Sequence, residues 1–170
     1  YWDDLGLDHP NSGIGYYGAQ LFRSLETLGT KPRRISSLSS APWLRSFLSS
    51  EASFYRCMRE TSQSKVVFHS HSNFNLPQFL PKRSNIAEVL TVHDLIPLTH
   101  PQFVSNSAAL RFRLMFPRAL RRAESIVCVS NHTQSALLSR FPTMASKVQV
   151  IPHGGDFIDQ QLYQSISNHK

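Results

Sequence analysis

Residues Glu88 to Pro97 read EVLTVHDLIP, and this stretch decides the fold. A short apolar run, Val89 to Val92, ends abruptly in His93 and Asp94. It is rich in β-branched residues and bounded by polar and proline signals, so it reads as a buried strand and not a helix. Buried parallel strands carry functional side chains at their carboxyl ends, where the ligands of open α/β sheets lie. His93 and Asp94 therefore stand where binding or chemistry is expected. The plainer alternative is a His–Asp pair that merely satisfies itself at a strand end, and these ten residues alone leave both open.

Three further segments have the same form. Val66 to Phe68 runs into His69-Ser70-His71-Ser72, Ser125 to Val129 into Ser130 and Asn131, and Lys147 to Ile151 into Pro152-His153-Gly154-Gly155. Helical patterns lie between and before them. From Ser12 the sequence reads SGIGYYGAQLFRSLETLG, with Ser12 as a cap, Gly13 and Gly15 opening the helix, Tyr17, Leu21, Leu25 and Leu28 at helical spacing, and Gly29 as the stop. Val104 to Ala123 reads as a helix with Ala108, Met115, Ala119 and Leu120 inward, and Pro117 is expected to kink or split it. Asn131 to Arg140 reads as a helix capped by Asn131, with Gln134 at capping-box spacing. Lys31 to Ser53 is rich in Ser, Pro and Arg and shows at most one short strand around Arg34 to Leu38. Tyr1 to Asp4 reads as the tail of a strand. Apolar strands alternating with helices predict an α/β fold: a Rossmann-like parallel sheet with helices on both faces. In such a sheet the four polar strand ends share one edge.

The chain has 170 residues, 41% of them hydrophobic, which suits one globular domain. Its net charge of +7 points to an anionic partner: a phosphorylated substrate, a membrane surface or nucleic acid. No recognition-motif pattern supports nucleic acid, and none is expected as a partner. Two cysteines cannot build a disulfide framework, and Cys128 in SIVCVS reads as a small buried hydrophobe. No stretch approaches the roughly 18 apolar residues of a membrane span, and no G-x-S-x-G marks a serine hydrolase.

Several constellations could carry chemistry. The glycine turn offers backbone N–H groups at a helix N-terminus, a natural phosphate site. His69 and His71, with His93 and Asp94, make a metal-dependent hydrolase imaginable, although no ligand motif such as H-E-x-x-H accompanies them. Arg111, Arg113, Arg118, Arg121 and Arg122 lie among apolar residues in AALRFRLMFPRALRR. A basic amphipathic helix can lie on anionic lipid, which leaves a non-catalytic polyanion- or lipid-binding module as an alternative. An outer helix with a solvated basic face is the preferred reading of these arginines.

Taken in order, Ser12-Gly13-Ile14-Gly15, VLTVHDLIPLTHP, RRAESIVCVSNHTQSALL and KVQVIPHGGD resemble the N-terminal domain of GT-B glycosyltransferases, specifically glycosyltransferase family 4. The resemblance covers Ser12 to Asp156. It implies one half of a GT-B fold, in which two Rossmann-like domains face a cleft, the N-terminal one mostly binding the acceptor. It implies a retaining sugar transfer from a nucleotide-sugar donor to a glycan or lipid-linked acceptor, with no metal and no separate cofactor. The H-D-L-I-P form suggests mannose. By the motif match, Gly13 and Gly15 would approach the donor diphosphate. His93 would sit beside the transferred sugar, through its ring or its backbone carbonyl, and Asp94 would orient the histidine loop. Ser12, His71, Ser130, Asn131 and His153 would line the cleft. Nucleotide-sugar epimerases share the two-domain fold and are the nearest alternative activity.

The departures are specific. Tyr16 stands where arginine often follows the glycine turn, His153 where asparagine is usual, and Gly155 where an apolar residue is commoner. The expectation is an acceptor-side domain over residues 1–156 with its first strand cut short, residues 157–170 beginning an interdomain linker, and a C-terminal donor domain not in this chain, which makes the chain inactive alone. The expected location is cytoplasmic, with peripheral contact at the inner face of the membrane.

Overall fold

The computed structural model describes residues 1–3, 12–35, 42–61 and 64–154. Gly155, Asp156, the linker expected over 157–170 and the 36–38 part of the short strand expected around Arg34 lie outside the described residues. In chain order the elements are β1 (Trp2–Asp3), α1 (Gly13–Thr27), β2 (Arg34–Ile35), α2 (Pro42–Glu60), β3 (Val66–Ser70), β4 (Ile86–Val92), α3 (Ile96–Thr99), α4 (Asn106–Arg122), β5 (Ser125–Cys128), α5 (Asn131–Arg140) and β6 (Val148–Val150). The strands form one sheet in the order β2-β1-β3-β4-β5-β6, with every pair parallel. The order reverses direction between β1 and β3, the switch point of a doubly wound sheet.

β4 is the central strand. Ile86, Glu88, Leu90 and Val92 are all buried, and their period of two places them on one face. α2 and α4 cover that face. Phe54 of α2 meets Phe68 edge-on at 5.3 Å between ring centroids, and Phe112, Phe116 and Leu120 of α4 join the same core. The opposite face carries Thr91, which the Tyr17 hydroxyl of α1 reaches. Helices thus flank both faces, as the sequence pattern predicts. β3 is less uniformly buried than expected, since Val67 is 49% exposed.

Several local readings are corrected by the packing. α2 is absent from the sequence reading because serines and Pro42 mask its stripe, yet Ser53, Phe54, Cys57 and Thr61 are all buried at helical spacing. α1 buries Gly15, Gly18 and Phe22 in place of the expected leucines, and Leu28 is exposed beside Gly29, whose φ of 79° closes the helix. α4 buries Ala109, Phe112 and Phe116 and not Ala108. It runs unbroken through Pro117, because one lost ladder bond on its outer side is outweighed by the burial of Phe116, Ala119 and Leu120. Its C-terminal carbonyls are closed by Lys147 Nζ, which donates to Leu120, Arg121 and Ala123 at 3.3, 3.1 and 2.8 Å. The cap of α5 is Ser130 and not Asn131: the Ser130 hydroxyl accepts from the Thr133 N–H at 3.1 Å. Cys128 is buried as expected, and burial pushes its thiol up to about 11.

One buried ion pair fixes α4 to β4. Glu88 is fully buried, and Arg122 grips its carboxylate with both Nε and Nη2, at 2.5 and 2.7 Å. The same guanidinium donates to the Leu80 carbonyl and lies over the Phe54 ring at 5.0 Å. Burial raises the Glu88 carboxyl above its usual range, while the guanidinium pulls against that rise. Removing Arg122 alone strands a buried carboxylate. Arg122→Met is therefore expected to lose about 3 to 5 kcal/mol in urea unfolding, and the Glu88→Met, Arg122→Met double variant to recover most of that loss. Equal losses in the single and double variants would contradict the pairing.

Candidate active site

His93 ends β4 and is held from three directions. Its backbone N–H donates to Asn73 Oδ1 at 2.8 Å, its ring Nε2 lies 2.8 Å from the His71 carbonyl, and its own carbonyl accepts from the Thr133 hydroxyl at 2.9 Å. A carbonyl can only accept, so this contact assigns the proton to Nε2 and leaves Nδ1 with its lone pair in the neutral ring. The Thr133 proton points to His93, so the hydroxyl pair at 3.0 Å has Ser130 donating to Thr133. Ser130 therefore acts on His93 through Thr133.

Two aromatic side chains complete this corner. Tyr17 meets His93 edge-on at 4.9 Å between centroids and stacks on His153 at 4.8 Å, and the two imidazoles are 5.6 Å apart. Burial lowers the His93 pKa, as does His153, while the bond to His71 and the Asp94 charge oppose the shift. His93 is neutral at pH 7. Burial likewise raises the Tyr17 hydroxyl, which is therefore un-ionised. Behind it, His69 Nε2 meets the Thr91 hydroxyl at 2.8 Å, and burial holds the His69 pKa down to about 3.

A cleft of about 860 Å³ opens in front of His93, lined by the start of α1, by Tyr17 and Gln20, and by Ile151 to Gly154 beyond β6. Ser12 caps α1 by accepting from the Gly15 N–H at 3.0 Å, and the Ser12 carbonyl takes the Tyr16 N–H. The Gly13 and Ile14 N–H groups bond to nothing among the described residues, and both residues line the cleft. They form the positive end of a 15-residue helix. A Cβ on Gly13 would meet no protein atom within 4 Å, so the glycine leaves room on the cleft side. Among the described residues, no Lys, Arg, Asp or Glu lines the cleft.

The structure thus gathers Ser12, Gly13, His93 and His153 into one cleft. It places the other expected site residues elsewhere. The Gly15 N–H is used by Ser12 and the residue is buried, so Ile14 takes the place expected of Gly15. His71 is fully buried and contributes its carbonyl, not a cleft wall. Ser130 and the exposed Asn131 do not line the cleft. Asp94 lines a neighbouring pocket of about 500 Å³, and its Oδ1 accepts the Ile96 N–H at 2.9 Å, closing the turn into α3. The four groups of the metal-hydrolase reading do not converge: His69 and His93 direct Nε2 to separate partners, and no set of three His, Cys, Asp or Glu gathers among the described residues. Asn73 and Thr133 are positioning residues that the sequence reading did not single out, and Tyr17 is one that it named only for its helical spacing.

These features define a Rossmann-like α/β domain with a cleft at the carboxyl edge of its parallel sheet. The sequence model of Glycosyltransferase Family 4 matches residues 17–157, most of the chain, and the protein belongs to that family. No curated protein matches it.

The neutral histidines make stability pH-dependent. Unfolded histidine binds a proton near pH 6.5, while folded His69 resists protonation down to about 3. Stability is therefore complete above about pH 6.5 and falls as the pH is lowered towards 3. Between pH 7 and 5, His69 alone accounts for a loss of about 2 kcal/mol, and His93 adds to it in the same direction. Urea unfolding across that range reads the slope, and His69→Gln is expected to remove the His69 share. An unchanged slope in that variant would contradict the assignment.

Proposed function

We propose that the protein is the acceptor-side half of a GT-B glycosyltransferase, moving a sugar with retention of configuration from a nucleotide-sugar donor to a glycan or lipid-linked acceptor. Mannose is the first choice of sugar, on the H-D-L-I-P form of the 93–97 segment. The observation that carries this reading is the pairing, in one cleft, of two open helix N–H groups with a neutral, clamped imidazole.

The chemistry follows from charge. Breaking a glycosyl–phosphate bond develops positive charge on the sugar and negative charge on the departing diphosphate. The Gly13 and Ile14 N–H groups and the α1 dipole stabilise that anion. His93 offers Nδ1 as an acceptor for a sugar hydroxyl, which favours the ring over the backbone carbonyl already engaged by Thr133. His153 and Tyr17 supply an apolar wall that orients the sugar. Two N–H groups do not neutralise a diphosphate, and among the described residues no cation lines the cleft. The remaining charge belongs to a second, donor-binding domain. The 170 residues alone are thus expected to be inactive, with the nucleotide sugar as substrate and no separate cofactor. A cytoplasmic site of action goes with that donor.

The test is transfer by the complete gene product from a panel of nucleotide sugars, followed by product analysis. His93→Ala is expected to lower kcat about 100-fold or more. Gly13→Val is expected to fold normally and raise the donor KM more than tenfold, since its side chain fills only the space a ligand would use. Epimerised nucleotide sugar without transfer, or full activity in both variants, would sink the reading.

A further inference from the structure

α4 has a second apolar strip that the core does not use. Phe112, Met115, Phe116 and Ala119 face the sheet and are buried. Leu110, Leu114, Pro117 and Arg121 recur at four-, three- and four-residue steps and occupy the opposite side. Leu110 and Leu114 are 57% and 54% exposed. An outer helix face normally carries polar residues there. Arg113 and Arg118 flank the strip on its two sides, both exposed, and Arg121 ends it. Arg118 Nη1 lies back along the strip on the Leu114 carbonyl at 2.8 Å. Arg140 of α5 joins Arg113, Asn106 and Leu110 around a groove of about 420 Å³ at the same face. α4 contains no acidic residue.

We propose that this outer face docks the protein on an anionic lipid bilayer, with Leu110 and Leu114 entering the headgroup–acyl boundary and Arg113, Arg118, Arg121 and Arg140 meeting lipid phosphates. The combination selects a bilayer over other anionic partners. Nucleic acid would use the arginines and leave the leucines in water. A protein interface concentrates aromatic residues at its centre and depletes charge there. A narrow aliphatic strip bordered by arginines matches the amphipathic gradient of a lipid surface. Arg111 and Arg122 take no part: the first lies over Phe74 and the second holds Glu88. Among the described residues no helix is long and apolar enough to cross a membrane, so the contact is peripheral. The inference does not depend on the transferase reading, and its test uses no activity.

The experiment is sedimentation with vesicles of phosphatidylcholine alone or with about one-third phosphatidylglycerol. Binding is expected only to the anionic vesicles and is expected to weaken with added salt. Arg113→Gln with Arg140→Gln should weaken it roughly fivefold per arginine. Leu110→Ser with Leu114→Ser should weaken it about tenfold or more. All four side chains are exposed, so the thermal midpoint serves as the control for folding. No binding to anionic vesicles would overturn the proposal. So would loss on removing the arginines with none on removing the leucines, which would leave only a polyanion-binding surface.

Discussion

Three hydrogen bonds converge on His93, and the cleft depends on them. Asn73 comes from the loop after β3, His71 from the end of β3 and Thr133 from the first turn of α5. All three are satisfied together only when β3, β4 and β5 lie in register. A one-residue slip of β4 would turn its buried face outward. Glu88 guards against that slip, because its carboxylate reaches Arg122 only from the face that α4 covers. The ion pair and the histidine clamp are thus two ends of one seven-residue strand: the first fixes which face looks at α4, the second fixes what the strand presents at its tip.

The tip is electrically quiet by construction. His93, His69 and Tyr17 are each kept uncharged by burial. Among the described residues, no charged side chain lines the cleft. The fixed positive potential comes from the α1 terminus, where backbone dipoles cost nothing to reorganise when an anion arrives. In the proposed function, such a surface orients a neutral, hydroxyl-rich group and favours a phosphate at one end. Membership in Glycosyltransferase Family 4 gives that combination a use.

Much of this was legible in the sequence, for identifiable reasons. β4, β5 and β6 are short and apolar with abrupt polar ends, and α1 carries a serine cap and a glycine stop, so local signals and final structure agree. What the local signals did not carry was the particular side-chain contacts of the folded chain. Gly15 looks as available as Gly13 until the Ser12 hydroxyl takes its N–H. His71 looks like a ligand until burial turns its carbonyl into the useful atom. Five arginines on α4 read as one basic face, although Arg122 lies at helical spacing from the buried Met115 and Ala119. A lone glutamate inside the β4 run was the available sign that a buried cation must answer it. Thr133, a polar residue on the inward side of α5, was a similar sign for the His93 clamp. α2 was hidden because serine content was read as a loop, with the Phe54, Cys57 and Thr61 stripe overlooked.

The most direct test of the central claim is amide NMR of the protein titrated with pyrophosphate and then with a nucleotide sugar. The account predicts saturable shifts concentrated at Gly13 and Ile14, with the His93 ring moving on addition of the sugar-bearing ligand and not with pyrophosphate alone. Saturable shifts that leave the α1 terminus untouched, or a His93 ring that carries its proton on Nδ1, would contradict it.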